Sequence, residues 1–150
     1  MTNEEIKEFL TSIHPSAVYD ETGQWLNIEI ESTQFKKIAR LLRNTPFDFD
    51  YLFCLTCIDW KTHLTMVYHL TSTEHRHTLV IKSKLDRNNP QIETVSDIWQ
   101  TANFHEREVF ELFGVQFINH PDLRRLILTD DFNGFPLRKD FEDPVNMIRL

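Results

Sequence analysis

The sequence predicts an α+β fold: a mostly antiparallel sheet packed with helices in a two-layer arrangement, followed by an extended C-terminal tail. Three observations predict this class. Apolar residues recur at helical spacing in some segments, other segments alternate apolar and polar residues as strands do, and two pairs of these strands are joined by short polar turns. Because strands and helices do not alternate regularly, the predicted order is α-β-β-α-β-β-β-α and then the tail.

The first predicted helix begins at a capping box formed by Thr2 and Glu5, and Pro15 prevents its continuation. A hairpin follows, with a polar turn at residues 20–23 and a second strand at residues 25–31. Apolar and polar residues alternate along that strand, so one face of the sheet is expected to be buried and the other wet.

The second predicted helix is capped by Ser32 or Thr33 and ends before Pro46. Its basic residues fall on the solvent side and are Lys36, Lys37, Arg40 and Arg43. Because the apolar residues form a stripe on the other side, this helix is expected to be amphipathic and to pack on the sheet.

Three strands are predicted after the second helix. Residues 50–58 are almost all apolar, which predicts a central strand covered on both faces. Two further strands are predicted at residues 64–70 and 77–85, and the polar sequence 86–90 is expected to end the sheet.

The third helix is predicted to begin at Ser96 and to end at Gly114, and its apolar stripe contains an acid, Glu106. Arg107 and Glu111 fall on the opposite side of the helix. A carboxylate within an apolar stripe is costly without a partner, so Glu106 either faces an arginine or reaches water at the margin of the domain. The candidate arginines are Arg124, Arg125 and Arg138.

Residues 1–114 are predicted to form the α+β domain and residues 115–150 an extended partner-docking tail, within a single structural domain overall. Prolines exclude long regular elements from the tail, apart from a short extended piece at residues 115–118. Four bases match four acids between residues 120 and 140, and apolar residues are interleaved with them. Because this composition is unlike that of a disordered segment, the tail is expected to be ordered by contact with another protein.

The composition argues against several classes of function. A formal charge of −7, a pI near 5.4 and Lys/Arg runs of no more than two residues argue against a nucleic-acid or anionic-lipid partner. The acidic N-terminus and the lack of a long apolar stretch predict a cytosolic or peripheral protein, since a bilayer span needs roughly 20 apolar residues. Two cysteines in a chain able to fill its own core indicate a reducing compartment.

Motifs that resemble catalytic or metal sites have structural explanations. Cys54 and Cys57 have the spacing of a redox or metal-binding pair, but within a strand they point to opposite faces, so two buried core cysteines are predicted. The histidines of residues 75–77 are interpreted as solvated loop residues. The sequence from His105 begins like a zinc-protease motif, but Val109 occupies the position of the second histidine. Three scattered glycines exclude a phosphate-binding loop, and the lack of a cysteine cluster excludes an iron–sulfur centre.

One set of residues resembles a known family. The set is Glu106-Arg107-Glu108, Glu111, His120, Arg124 and Leu126-Ile127, with residues 96–99 and 136–140 around it. Their order and spacing are similar to the signature of the 30-kilodalton-type subunit, designated C, of the proton-pumping NADH:quinone oxidoreductase, respiratory complex I. Asn119 stands where that family often has glycine, and Phe132 where tryptophan is common. Without a large second domain, the chain resembles the stand-alone form and not the fused C/D form.

The resemblance implies a structural subunit of the peripheral arm, without a cofactor, catalytic site or metal site of its own. The whole complex uses FMN, iron–sulfur clusters, NADH and quinone, and couples electron transfer to proton translocation. The implied partners are the quinone-site subunit, which is the D part of the fused form, and the iron–sulfur subunits. The chain meets the membrane, at its cytoplasmic face, only through the complex. The residues expected to dock these partners are Glu106, Arg107, Glu108, Glu111, His120, Asp122, Arg124, Arg125, Arg138, Lys139 and Asp140.

The sequence leaves two alternatives. The first is the equivalent subunit of a related membrane-bound hydrogenase or other quinone-reducing complex, which shares the third-helix signature. The second is an independent acid–base enzyme that uses His105, Glu106 and His120, although no nucleophile and base are suitably spaced. The neighbouring genes would test the first alternative, and turnover by the purified chain alone would test the second.

Overall fold

A computed structural model describes residues 1–147, and the last three residues of the predicted tail, 148–150, lie outside the described residues. Within this range the helices are α1 (Asn3–Ile13), α2 (Ser32–Arg43) and α3 (Ala102–Phe113). The strands are β1 (Val18–Asp20), β2 (Leu26–Glu29), β3 (Tyr51–Asp59), β4 (His63–Ser72), β5 (His77–Asp86), β6 (Gln91–Glu93) and β7 (Gln116–Ile118). The predicted α+β class is confirmed. No helix in the described range is long and apolar enough to cross a membrane.

Five strands form one mixed sheet in the order β1-β2-β5-β4-β3. Neighbouring strands pair antiparallel except β2 and β5, which are parallel. The prediction of a central strand at residues 50–58 is wrong, because β3 lies at the edge of the sheet and β4 has a partner on each side. The apolar content of β3 is misleading: exposed Tyr51 contrasts with buried Leu55, and a β-bulge interrupts the pairing between Leu52 and Cys54.

The hydrophobic core lies between the helices and one face of the sheet. Phe35 of α2 packs on Tyr68 of β4 with ring centroids 4.1 Å apart, and both side chains are fully buried. α1 joins the same core through Ile6 and Leu10. Since burying one such side chain stabilises the fold by about 2 kcal/mol, these contacts fix α1 and α2 on the sheet.

The two N-terminal helix caps differ in how well local sequence predicted them. In α1 the capping box is present: the Thr2 amide donates to Glu5 Oε2 at 2.9 Å, and the Glu5 amide donates to Thr2 Oγ1 at 3.3 Å. In α2 the N-cap residue is Glu31, and neither Ser32 nor Thr33 caps the helix. The predicted cap of α2 is therefore wrong, because Ser32 already lies inside the helix.

α3 begins at Ala102 and not at the predicted Ser96. The residues between them form a turn, in which the Trp99 indole N–H donates to the Phe49 carbonyl at 2.8 Å. Because a buried indole needs an acceptor, this bond fixes the turn and delays the start of the helix. The end at Gly114 is as predicted, with a φ of 78° in the left-handed region that glycine adopts freely.

β6 and β7 form a second sheet of two parallel strands. The polar sequence at residues 86–90 therefore ends the larger sheet, but a strand follows it. β7 is the short extended piece predicted at residues 115–118, and both Val115 and Phe117 are buried. The folded body thus continues past residue 114 through β7. Residues 119–147, called here the C-terminal segment, contain no helix or strand.

Candidate functional site: the third helix and the C-terminal segment

Neither alternative predicted for Glu106 is correct. Its carboxylate is fully buried and accepts hydrogen bonds from the Thr94 hydroxyl at 2.5 Å and from the Val95 amide at 2.8 Å. His120 Nε2 lies 3.7 Å from the same carboxylate. Burial raises the pKa of Glu106 to about 7, against the lowering effect of its two hydrogen-bond donors. Glu106 therefore ties the turn after β6 to α3.

His120 is held by two backbone contacts. Its Nε2 lies 3.1 Å from the Asn103 carbonyl, and its Nδ1 accepts a hydrogen bond from the Asp122 amide at 3.0 Å. These contacts fit the ring tautomer that carries its hydrogen on Nε2. Asn119 has a φ of 64°, which asparagine tolerates better than most residues, so the turn forms without glycine. Because the Glu106 and His120 side chains are 0% exposed, an acid–base enzyme built on them is not supported.

Arg107 and Glu111 lie on the far face of α3, as predicted, and the C-terminal segment covers them. Arg107 Nε donates to the Arg124 carbonyl at 2.9 Å, and its Nη2 donates to the Arg125 carbonyl at 3.3 Å. The Glu111 carboxylate accepts from three consecutive backbone amides, those of residues 126–128, at 3.0 to 3.1 Å. Arg107 and Glu111 thus form a backbone clamp, which holds this stretch of main chain whatever side chains it carries.

A second set of contacts, called here the Asp59 anchor, holds the C-terminal segment to the ends of β3 and β5. The buried Asp59 carboxylate accepts from Arg87 Nε at 3.1 Å, from Arg87 Nη2 at 2.8 Å and from the Lys139 amide at 2.8 Å. Arg87 Nη2 also donates to Asp140 Oδ1 at 2.9 Å. The Arg87 guanidinium holds the pKa of Asp59 well below its usual range, although burial opposes this.

The predicted docking residues divide into two groups. Those bonded inside the chain and at least partly buried are Glu106, Arg107, Glu111, His120, Arg125 and Arg138. Those that are exposed are Glu108, Asp122, Arg124, Lys139 and Asp140. Partner docking by either group stays a prediction, and the second group is accessible without rearrangement. Sequence reasoning missed Asp59 and Arg87, for which the one available signal was an acid at the end of an apolar strand.

Because the clamp binds backbone atoms, apolar side chains of the C-terminal segment remain exposed. Ile127 is 72% exposed, Leu137 53% and Leu126 39%. Ile127 and Leu137 both bond to α3, since the Ile127 amide donates to the Glu111 carboxylate and the Leu137 amide donates to the Leu112 carbonyl. We call Leu126, Ile127 and Leu137 the apolar ridge. Exposed apolar side chains held on one helix in this way are typical of protein–protein interaction surfaces.

Both cysteines are free thiols. Cys57 is buried as predicted, whereas Cys54, beside the β-bulge, is only partly buried. Burial raises the pKa of Cys57 to about 12. Within residues 1–147, no group of three or more His, Cys, Asp or Glu side chains is placed to hold a metal ion.

Comparisons with known proteins agree with this architecture. Residues 28–145 match the family described as "Respiratory-chain NADH dehydrogenase, 30 Kd subunit". The C/D-type NADH-quinone oxidoreductase subunit of Phocaeicola vulgatus is 46% identical over 103 residues, which are 67% of this chain and 20% of that protein. The C-type F420H2 dehydrogenase subunit of Methanosarcina mazei is 36% identical over 143 residues, which are 91% of this chain and 90% of that protein. In the structure of the membrane-bound sulfane sulfur reductase, an archaeal respiratory membrane complex, one chain has a TM-score of 0.78 at 26% identity, covering 93% of this chain and 85% of that chain.

Two of these proteins are oxidoreductase subunits and the third belongs to a respiratory membrane complex, so fold and sequence together define a class of oxidoreductase subunits. The matched residues include most of the sheet, α3 and nearly all of the C-terminal segment. The chain belongs to the family of the 30-kilodalton subunit of respiratory-chain NADH dehydrogenase, as the resemblance predicted. It spans about a fifth of the C/D-type relative and 90% of the M. mazei relative.

Proposed function

We propose that the chain is a structural, cofactor-free subunit of the peripheral arm of NADH:quinone oxidoreductase. That complex transfers electrons from NADH through FMN and iron–sulfur clusters to quinone and couples the transfer to proton translocation. The chain supplies no reacting group and fixes the relative positions of its neighbours, chiefly the quinone-site subunit and the iron–sulfur subunits, at the cytoplasmic face of the membrane. Family membership supports this role, and so does a relative whose name joins the C and D components in one chain.

The observation that carries the proposal is the apolar ridge held on α3. Arg107 and Glu111 fix the main chain of residues 124–128, and the Leu112 carbonyl holds Leu137, so the ridge is presented in one conformation before any partner arrives. A preformed surface loses little conformational entropy on binding, which favours a stable interface. A protein that positions its neighbours needs such a surface.

Affinity purification of the tagged chain from native membranes tests this proposal. We expect the wild-type chain to bring the large subunits of the complex with it. Ile127→Asp combined with Leu137→Asp should lower their recovery roughly tenfold, because each change places a charge in an apolar interface.

The matched control is Val18→Asp combined with Tyr51→Asp, which alters two apolar residues outside the C-terminal segment that are 60% and 46% exposed. This control should leave recovery unchanged. Full recovery with the ridge variant, or a wild-type chain that is purified alone, would contradict the proposal.

A second candidate is the equivalent subunit of a related membrane-bound complex with another electron donor or acceptor, such as a hydrogenase. It is favoured by the M. mazei F420H2 dehydrogenase subunit, which matches at least 90% of both chains, and by the likeness to the sulfane sulfur reductase chain. The same purification separates the two candidates. An NADH-oxidising flavoprotein among the recovered subunits supports the first, and a complete complex without one supports the second.

A further inference from the structure

The exposed side of α2 carries a concentration of positive charge. Its 12 residues include no acid, although the whole chain has 23 acids against 16 bases. The bases of α2 are Lys36, Lys37, Arg40 and Arg43. A helix of this charge on an acidic chain forms a surface that attracts negatively charged groups.

α2 forms one wall of an open groove of about 800 Å³, here called the basic groove. The turn after β6 and the first residues of the C-terminal segment line its other side. One carboxylate of the chain, that of Asp97, already lies between two of the bases: Lys36 Nζ is 2.5 Å from its Oδ1, and Arg40 Nη2 is 3.0 Å from its Oδ2. The groove therefore contains one position where cations converge on a carboxylate.

Several polar groups in the basic groove have unused hydrogen-bonding or ion-pairing capacity within residues 1–147. Among residues 1–147 no carboxylate lies within ion-pairing distance of the Lys37 ammonium. The Arg40 side chain is 60% exposed and binds Asp97 through Nη2 alone. The side-chain amides of Asn44, Asn103 and Asn119 likewise make no hydrogen bond within the described part of the chain. Cations bind carboxylates, and asparagine amides bind the N–H and C=O groups of an extended backbone.

We propose that the basic groove binds an acidic, extended segment of a neighbouring subunit, whose carboxylates contact Lys37 and Arg40. This inference rests on the proposed function, because the occupant belongs to another subunit of the complex. A polypeptide fits better than a nucleic acid, since Lys36 and Arg40 already pair with Asp97 and the groove lacks the run of unpaired cations that a polyphosphate backbone needs. The open shape and the volume of about 800 Å³ suit several residues of extended chain.

Carbodiimide crosslinking of the purified complex tests this inference, because the reagent joins a lysine amine directly to a carboxylate in contact with it. Lys36 and Asp97 should link within the chain and serve as the internal positive control. Lys37 should link to an aspartate or glutamate of another subunit, which mass spectrometry of the joined peptides identifies. Lys37→Arg keeps the charge, so it should abolish this link and leave the complex intact.

Charge reversal adds a quantitative measurement. Lys37→Glu combined with Arg40→Glu should lower recovery of the linked subunit roughly tenfold, because attraction becomes repulsion. The matched control is Arg76→Glu combined with Lys84→Glu, which changes the same number of charges at exposed positions outside the groove. This control should leave recovery unchanged.

Each contrary outcome of the crosslinking has a separate meaning. If the Lys36–Asp97 link forms while Lys37 stays unlinked or links only within this chain, the basic groove inference is overturned and the proposed function stands. If the complex retains a nucleic acid that Lys37→Glu combined with Arg40→Glu releases, the occupant is a nucleic acid and the inference is equally overturned. If the purified chain carries no other subunit, the proposed function and the inference fail together.

Discussion

Replacing Glu111 by glutamine should detach part of the C-terminal segment while the sheet stays folded. The wild-type residue is 2% exposed, and its carboxylate accepts three backbone amides at 3.0 to 3.1 Å. Glutamine is nearly the same size, but it keeps one acceptor oxygen and turns an NH₂ donor toward amides that are themselves donors. The three charge-assisted hydrogen bonds become neutral ones or are lost, and each change costs about 1 kcal/mol or more.

Over the three bonds these losses sum to about 3 kcal/mol. A change of that size raises the population of the opened segment roughly a hundredfold. Hydrogen exchange measures this population residue by residue, so the amides of residues 126–128 should exchange roughly a hundredfold faster in the variant. The amides of β4, which do not depend on the clamp, should keep their wild-type rates.

Glu108→Gln is the matched control, since it makes the same chemical change at an exposed position of α3. It should leave the exchange of residues 126–128 at the wild-type rate. Two results would refute the reasoning: protection of residues 126–128 that persists in Glu111→Gln, or acceleration of the β4 amides by the same factor. The first result means that the clamp does not hold the segment, and the second means that it stabilises the whole fold.

Three further predictions concern other buried titratable groups. Because burial raises the pKa of Glu106 from 4.5 to about 7, the folded state binds more protons than the unfolded state. The free energy of unfolding should therefore fall by about 3 kcal/mol as the pH rises from about 4.5 to about 7. Thermal melts over this pH range should show the decrease in the wild type and not in Glu106→Gln. Asp59→Asn removes the negative charge and one acceptor oxygen from the Asp59 anchor, so the Lys139 amide is held less tightly and trypsin should cut at Lys139 at least roughly tenfold faster. Asp86→Asn, an exposed control, should not change the rate. Burial raises the pKa of Cys57 to about 12, so a thiol reagent at about pH 8 should modify Cys54 alone in the folded protein and both cysteines after denaturation. Two reactive thiols in the native state would contradict the burial of Cys57.

Local elements were predictable because neighbouring residues decide them. The capping box located α1, and the alternation of Leu26 and Ile28 with polar residues located β2 and its buried face. Strand order is different, since it depends on pairing between residues far apart in sequence. β3 pairs with β4 and with no other described strand, so it lies at an edge, although its composition alone resembles that of a central strand.

Glu106 shows why the site was predicted only in part. The sequence placed an acid in an apolar stripe and offered an arginine or water as its partner, but the donors are Thr94 and Val95 of the same chain. They are available because α3 starts at Ala102, which leaves the preceding residues in a turn. A helix starting at Ser96, as predicted, would have placed different groups near the carboxylate. An error in one helix boundary thus removed the correct partners from consideration.

Charged side chains of α3 and the C-terminal segment serve two separate roles, and the difference follows from burial. The exposed pair of Asp122 and Arg124, with side chains 51% and 73% exposed, contributes less than about 1 kcal/mol in water. The buried Glu111, bonded to three backbone amides, contributes more and determines where the segment runs. Loss of Glu111 would therefore misplace the apolar ridge, whereas loss of ridge residues such as Ile127 would leave the segment in place without its binding surface. Both kinds of variant would assemble poorly, and hydrogen exchange at residues 126–128 would distinguish them.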